Sequence, residues 1–154
     1  GGSLKVRGFR GNVQKFIDET FKLYDYRDRD KLIPHEEWLQ QTEEDWFYTE
    51  NPNATDIYVE GTKRAFVDLY SFETFIADGD PAIFACPVRQ AWALHPEEWC
   101  ELSKKYGVDF YLYGIESGMM FMQEYEIING RITYEHSIGP EEFNWKCPFP
   151  WMGG

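Results

Sequence analysis

Two hydrophobic periods alternate along this chain, and together they predict a mixture of strands and helices. Apolar and polar residues alternate over 4–9, which is typical of a half-buried strand. Apolar residues then recur at helical spacing, and Asn12 stands where the N-cap of a helix would be. The pattern therefore predicts a first strand followed by a helix over about 13–24.

A second helical pattern begins at Pro34, a residue that suits the first turn of a helix. Apolar residues lie on one side of this segment, and the Asn-Pro-Asn run at 51–53 ends it. We expect an additional, acidic helix here that interrupts the succession of strands.

Strand-like segments follow over 57–59, 65–75 and 82–86, with a break near Gly61. Pro87 has no backbone N–H, so it predicts that the third strand ends there or lies at an edge of the sheet. Further on, Pro96 opens a helical pattern over 96–106. Gly107 closes it, and a strand-like segment then covers 108–113.

The clearest local signal is Asn129-Gly130, which separates two alternating segments, 124–128 and 131–135. Asn-Gly is the preferred type I′ hairpin turn, so this region predicts a β-hairpin. The register expected from a two-residue loop pairs 128 with 131, 127 with 132, Tyr125 with Tyr134 and Glu124 with Glu135.

In chain order, these elements predict an α+β fold of the ferredoxin-like type, in which a βαββαβ unit forms an antiparallel sheet with both helices on one face. The acidic helix is then an insertion, and the last strand is an addition at the C-terminal end. We expect a single domain over 4–137, with the insertion at 25–54. An irregular tail rich in aromatic residues and proline, over 138–154, is expected to pack on it.

Composition places the chain among folded proteins that need no disulfide or metal for stability. Its 154 residues are 43% hydrophobic and 18% aromatic, which supplies enough apolar surface for one core. Three cysteines are an odd number at wide spacings, which predicts reduced thiols and a cytoplasmic location. No apolar run approaches the roughly 18 residues of a membrane span, so we expect no membrane contact.

The charge is strongly acidic and unevenly distributed. The formal net charge is −12, and residues 35–60 hold eight acidic side chains without a Lys or Arg. Because Lys and Arg supply the affinity for phosphate backbones, this balance predicts no direct nucleic-acid binding. Aromatic residues are interleaved with these carboxylates, a combination that suits docking onto a basic protein surface. The alternative is a solvated helix face that only keeps the protein dispersed.

Reactive side chains do not fall at the spacing of a known catalytic or cofactor motif. The three histidines and three cysteines form no metal-binding spacing, and Ser117 lies one place too late for a nucleophile elbow. The expected Glu124–Glu135 pair would suit a hydrolase, but exposure on a solvated sheet face explains it as well. We therefore expect no catalytic residue, no metal and no cofactor.

Several short segments resemble the YubB-type ferredoxin-like domain family of phages, plasmids and related mobile elements. They are the strand at 4–9 with its following helix, Gly-Thr-Lys at 61–63, residues 68–74, residues 92–96 and Leu-Ser-Lys-Lys-Tyr at 102–106. The likeness extends over about residues 4–24 and 55–137, and the acidic segment departs from it. It implies a ferredoxin-like fold and a mobile-element setting, and it carries over no catalytic residue.

These observations lead to two expected functions. The first is a non-enzymatic protein-interaction module of a mobile element, with an anti-defence or antirestriction role as its sharpest form. Its surface for a basic protein partner would consist of Glu36, Glu37, Glu43, Glu44, Asp45, Trp46 and Phe47. The alternative is a small-molecule or nucleotide-binding domain that uses the aromatic sheet face, through Tyr111, Tyr113, Tyr125 and Tyr134.

Overall fold

The computed structural model describes residues 1–24, 32–33, 39–40, 48–49, 56–68 and 74–151. In this part of the chain the elements are β1 (Gly2–Gly8), α1 (Arg10–Thr20), β2 (Phe21–Tyr24), β3 (Leu32–Ile33), β4 (Leu39–Gln40), β5 (Tyr48–Thr49), β6 (Asp56–Val59), β7 (Ala65–Val67), β8 (Phe75–Ala77), β9 (Ala82–Gln90), α2 (Pro96–Tyr106), β10 (Asp109–Glu116), β11 (Phe121–Ile128), β12 (Arg131–Ile138) and α3 (Pro140–Lys146). No helix within these ranges has the length and apolar character needed to cross a membrane.

Ten of the described strands form one antiparallel sheet, so the predicted combination of helices with an antiparallel sheet is confirmed. Nine strands lie in the order β12-β11-β10-β1-β9-β7-β6-β2-β3, and β8 also pairs with β9. β4 and β5 form a separate two-stranded ladder. The N-terminal strand β1 therefore lies in the middle of the large sheet, between β9 and β10.

α1 and α2 pack side by side on one face of this sheet, as predicted. The ring centroid of Phe16 in α1 lies 5.6 Å from that of Tyr106 in α2 and 5.1 Å from that of Phe110 in β10. Trp99 of α2 is fully buried, with its ring centroid 5.2 Å from that of Phe110. These edge-to-face contacts join both helices and the central strands in one hydrophobic core.

The first helix differs from its predicted range of about 13–24. It spans Arg10–Thr20, and Phe21–Tyr24 is strand β2, which pairs with β6. Phe21 and Leu23 are both fully buried, so they follow the period of a strand rather than that of a helix. Pairing with β6, a partner more than 30 residues further along the chain, therefore decides where the helix ends.

The two predicted helix caps have different outcomes. Asn12 is not the N-cap of α1, because Phe9 occupies that position and the Asn12 side chain donates to the Gly107 carbonyl instead. Gly107 ends α2 as predicted. Its φ of 65° is left-handed, and its N–H donates to the Ser103 carbonyl at 2.9 Å.

Pro87 lies inside β9 rather than at its end, so the predicted end of this strand is wrong. On one side of β9, β8 pairs with residues 83–85 and β7 with residues 88–90. The Pro87 carbonyl accepts a hydrogen bond from the Asp68 N–H on that side. Since the N–H and C=O of one strand residue point the same way, the missing N–H falls where two short partners leave the ladder interrupted.

The strand predicted over 57–59 is confirmed within β6. The strand predicted over 65–75 is present at 65–67 and begins again at Phe75, and residues 69–73 lie outside the described part. The acidic helix predicted from Pro34 is wrong at four residues, because 39–40 and 48–49 pair with each other as β4 and β5. The rest of that segment lies outside the described residues.

The hairpin is confirmed, but its register changes beyond the first two pairs. Asn129 and Gly130 have φ values of 55° and 72°, as a type I′ turn requires. The pairs 128–131 and 127–132 are formed as predicted. A β-bulge then shifts the register between Glu126 and Ile127.

Beyond the bulge, Tyr134 lies opposite Glu126, Glu135 opposite Tyr125 and His136 opposite Glu124. The predicted pairs Tyr125–Tyr134 and Glu124–Glu135 are therefore wrong, and the paired carboxylates of a hydrolase are not formed. Thr133 is the extra residue of the bulge. Turn type and loop length specify only the register next to the turn, so they do not reveal an insertion further along the strand.

The tail predicted to be irregular contains the short helix α3. This helix packs on β11 and β12, where Phe143 and Cys147 are buried with Ile115, Met122 and Ile138 in a second hydrophobic cluster. A helix of seven residues presents barely two turns, so its sequence is too short to show a hydrophobic period.

Candidate functional site

The face of the sheet opposite to α1 and α2, here called the open face, carries polar and aromatic side chains of the central strands. Side chains alternate between the two faces of a sheet along each strand. In β10, Phe110 and Leu112 are buried in the core beneath the helices. Tyr111, Tyr113 and Ile115 therefore point to the open face, where α3 covers the corner around Ile115.

Two rows of side chains cross the open face, each following the register of the strands. The first row, from β9 to β12, is Ala85, Lys5, Tyr111, Glu126 and Tyr134. The second row is Pro87, Ser3, Tyr113, Glu124 and His136. Because neighbouring strands lie about 4.8 Å apart, a cation, aromatic rings and carboxylates follow one another within about 20 Å.

Three of the four tyrosines predicted to contact a ligand share this face, namely Tyr111, Tyr113 and Tyr134. Tyr125 does not, because it faces the helices, is 5% exposed and belongs to the core. This part of the prediction is wrong for a physical reason. Tyr125 lies two residues before Ile127 in β11 and opposite Leu112 of β10, so strand alternation places it with these core residues. The bulge in β12 instead moves Tyr134, which the predicted register places opposite Tyr125, to the open face.

The residues of the predicted partner surface are not among those described. They are Glu36, Glu37, Glu43, Glu44, Asp45, Trp46 and Phe47. Whether these side chains lie together therefore stays a prediction.

Tyr111, Glu124 and His136 are linked across three strands. The Tyr111 hydroxyl donates to Glu124 Oε1, and His136 Nδ1 lies 3.8 Å from Glu124 Oε2. Desolvation raises the pKa of Tyr111, and the hydrogen bond to Glu124 and the charge of that carboxylate raise it further. Tyr111 is therefore a neutral ring, tied at its hydroxyl end, in the centre of the open face.

Glu126 is held in place by the β-bulge. The Thr133 hydroxyl lies 2.7 Å from Glu126 Oε1 and 3.3 Å from the Glu126 carbonyl oxygen. Within the described ranges, no Lys, Arg or His forms an ion pair with Glu126. A carboxylate has about four acceptor positions, so Glu126 keeps most of them for another donor.

β1 places two cations beside these tyrosines. Arg7 is paired, since its Nε and Nη2 donate to Asp109 Oδ2 at 3.1 and 2.9 Å. Lys5 lies next to Tyr111 in the register and forms no ion pair with any residue that the structure describes. Lys5 is therefore a cation of this face that is available to an anionic group.

A small pocket of about 170 Å³ lies among these groups. Its walls include Lys5, Arg7, Ile83, Asp109, Tyr111 and Glu126. The pocket thus combines a cation and a carboxylate, neither of which forms an ion pair with a described residue, and an aromatic ring between them.

A larger groove of about 460 Å³ shares one lining residue, Lys5, with this pocket. Its walls are mostly apolar and include Phe75, Ala85, Pro87, Tyr113, Ile115 and Phe149. Phe75 and Phe149 are 57% and 46% exposed, so both contribute accessible aromatic surface to the groove. Exposed aromatic rings around a concave surface are typical of binding sites.

The Tyr113 hydroxyl is buried without a hydrogen-bond partner among the described residues. Burial raises the pKa of Tyr113 to about 12, and the neighbouring Cys147 thiol and Glu124 raise it as well. Tyr113 therefore contributes a neutral, mainly apolar wall between the groove and the second cluster.

Metal-binding side chains do not gather in the part of the chain that is described, where no group of three or more His, Cys, Asp or Glu is placed to hold an ion. Cys86 and Cys147 are buried free thiols, whereas Cys100 is partly exposed. The burial predicted for the cysteines is thus confirmed for two of the three.

Sequence reasoning overlooked Lys5, Glu126, Phe75 and Phe149 as members of a site. A signal existed for Lys5, because alternation over 4–9 already places it on the polar side of the first strand. Phe75 and Phe149 belong to short or irregular segments, and only the folded chain brings them to one groove.

Comparison of the chain with protein-family models, curated proteins and solved structures finds no match.

Proposed function

We propose that this chain is a binding domain that holds a small anionic molecule with an aromatic or apolar body, such as a nucleotide, on the open face of its sheet. The observation that carries the proposal is the mostly apolar groove of about 460 Å³ that has Lys5 among its lining residues. The aromatic walls would contact the body of the ligand, and the Lys5 ammonium its anionic group. We expect this chain to bind its ligand without transforming it.

The size and chemistry of the groove support this function. Small-molecule sites enclose roughly 300–1,000 Å³, are mostly apolar and contain a few polar groups that orient the ligand. Lys5 is exposed, and an exposed ion pair contributes about 0.2–1 kcal/mol, or up to roughly fivefold in the dissociation constant. Lys5 should therefore have a measurable share in the affinity, and the apolar walls should supply most of the remainder.

The test uses 1-anilinonaphthalene-8-sulfonate, an aromatic sulfonate whose fluorescence increases in apolar surroundings. We expect saturable binding to the native protein, and Lys5→Gln should raise the dissociation constant by up to roughly fivefold. Phe75→Ala should also weaken binding, because it removes exposed aromatic surface from the groove.

Lys104→Gln is the matched control, because Lys104 is an exposed lysine of α2 and lies outside the groove. Thermal unfolding of each variant must match that of the native protein, since partly unfolded states also bind this dye. Equal affinity of the dye for the native protein, Lys5→Gln and Phe75→Ala would contradict the proposed function.

The proposal includes a ferredoxin-like core. Strands β10, β1, β9 and β7 are adjacent in this order, with α1 and α2 on one face, which supports a βαββαβ unit extended by further strands at both sides. Membership of the YubB-type family and its mobile-element setting are part of the same proposal. They rest on the resemblance of the sequence segments alone.

A second candidate function is a protein-interaction module that uses the acidic segment 35–60. Eight carboxylates without a Lys or Arg, interleaved with Trp46 and Phe47, favour a partner with a basic surface. We expect Glu36, Glu37, Glu43 and Glu44 changed together to Gln to abolish capture of such a partner from host lysate at unchanged thermal stability. Capture by the native protein should weaken as salt rises. Unchanged capture by the variant, or capture independent of salt, would remove this candidate.

A further inference from the structure

We infer that the pocket between Lys5 and Glu126 selects a guanine nucleotide. In this assignment Glu126 accepts hydrogen bonds from the base edge, Tyr111 stacks on the base and Lys5 binds the phosphate. The inference rests on the proposed function, because it uses the same cation, Lys5, for the anionic group; it places the base of a nucleotide in the pocket beside Tyr111 and not in the groove. It goes beyond that function by assigning the residue that determines specificity.

The position of Glu126 is the first argument. The β-bulge and the Thr133 hydroxyl, 2.7 Å from Oε1, hold this carboxylate at the wall of the pocket. Bulges are over-represented at sheet edges, where β12 lies, and beside active sites, where they redirect a side chain. A held carboxylate without an ion pair in the described part of the chain is suited to a ligand that brings its own N–H donors.

The row of side chains is the second argument. Lys5, Tyr111 and Glu126 occupy neighbouring positions on β1, β10 and β11. Two strand spacings therefore separate the Cα atoms of Lys5 and Glu126, a distance of about 9.6 Å. A ligand that satisfies all three needs an anion at one end, a planar group in the middle and donors at the far edge. A nucleotide has this arrangement, with its base stacked on an aromatic ring of a sheet.

The acceptor chemistry of a carboxylate distinguishes the bases. Guanine presents two adjacent donors, N1–H and N2–H, on its Watson–Crick edge, and both can bond one carboxylate. Adenine presents one donor beside the acceptor N1, which would face a carboxylate oxygen without a proton between them. A good bidentate contact to a base discriminates by about 1–3 kcal/mol, which corresponds to roughly tenfold or more.

The space available is the third argument. The pocket of about 170 Å³ beside Tyr111 has room for one base, and Lys5 lines both this pocket and the groove of about 460 Å³. The ribose, which joins the base to the 5′-phosphate, would lie between the base and Lys5, and only phosphates after the first would extend past Lys5. Arg7 is less available to the phosphate, because its guanidinium is already paired with Asp109.

Calorimetric titration of the full chain with 5′-GMP, 5′-AMP and L-arginine tests the assignment. We expect the native protein to bind GMP about tenfold more tightly than AMP. Glu126→Gln should abolish this preference without weakening AMP, since a Gln amide offers one donor and one acceptor. Thr133→Val should reduce the preference in part, because it frees the carboxylate that Thr133 positions.

Glu135→Gln is the matched control, a glutamate of the same hairpin that lines neither the pocket nor the groove, and it should leave the ratio of the two affinities unchanged. Equal affinities of native protein for GMP and AMP, or an unchanged ratio in Glu126→Gln, would overturn the inference. Tighter binding of L-arginine than of GMP would assign the pocket to a guanidinium ligand instead. If these fail while the aromatic sulfonate still binds in a Lys5-dependent way, the proposed function stands and only the guanine assignment falls.

Discussion

Tyr113 shows how a single side chain links the core of this protein to its candidate site. Its ring lines the groove, while its hydroxyl is buried against the second cluster and has no hydrogen-bond partner among the described residues. A buried hydroxyl without a partner costs free energy that an apolar group of the same shape does not. Tyr113 is thus one of the few positions where removing a polar atom should help the fold.

We predict that Tyr113→Phe raises the free energy of unfolding by about 1 kcal/mol at pH 7, measured by urea denaturation. The pKa of Tyr113 is raised to about 12 in the folded state, against 10.0 ordinarily, so the folded protein holds the phenol proton more tightly than the unfolded chain does. The free energy of unfolding of the native protein is therefore unaffected by this group below pH 10 and falls as the pH rises from 10 towards 12. The advantage of the Phe variant should therefore grow between pH 10 and 12. Tyr134→Phe, at a position that is 46% exposed, is the control and should be nearly neutral. A destabilised Tyr113→Phe would show that the hydroxyl has a partner.

The hairpin of β11 and β12 is the element that positions the acidic part of the site, and its turn is docked on α2. The Gly130 N–H donates to the Ser103 hydroxyl at 2.9 Å, and this hydroxyl donates to the Val108 carbonyl at 2.7 Å. The turn and the C-terminal end of α2 are therefore connected through one buried serine. Placement of Glu124 and Glu126 depends on this connection as well as on strand pairing.

We predict that Gly130→Ala lowers the free energy of unfolding by about 1–2 kcal/mol. Gly130 has a φ of 72°, which costs an L-residue about 1–2 kcal/mol, and an added Cβ would lie 2.2 Å from Lys104 Cγ. Asn129→Gly, at a φ of 55° in the same turn, should be nearly neutral and serves as the control. Denaturant unfolding of both variants decides the matter. Equal stability of Gly130→Ala and the native protein would contradict the type I′ geometry.

Elements with their own local signals are the ones that sequence reasoning located. α2 has Pro96 at its start and Gly107 at its end, and the hairpin has Asn129-Gly130, so both were predictable from neighbouring residues. α1 ends at Thr20 because Phe21–Tyr24 pairs with β6, which no local pattern reveals. The bulge in β12, opposite Glu126 and Ile127, likewise has no local sequence signal, since it depends on how β12 pairs with β11.

At the scale of the whole molecule, the two faces of the sheet have different roles. One face carries α1 and α2 over the hydrophobic core, and the other presents the open face with its pocket and groove. The formal net charge of −12 disfavours anions in general, so binding of an anion would depend on the local cation Lys5.

The candidate site was only partly predictable from the sequence. Tyr111 and Tyr113 follow from strand alternation, whereas the walls formed by Phe75 and Phe149 require the complete fold.

The most direct test of the binding role of the open face is a map of backbone amide chemical shifts in the isotopically labelled full chain, titrated with 1-anilinonaphthalene-8-sulfonate. We predict shifts concentrated at residues 3–7, 83–87 and 109–115, around the pocket and groove, with α1 and the exposed side of α2 unaffected. The same titration of Lys5→Gln should show the shifts only at higher dye concentrations. Shifts confined to α1 and α2, or equal shifts in both proteins, would contradict the assignment of the open face as the binding surface.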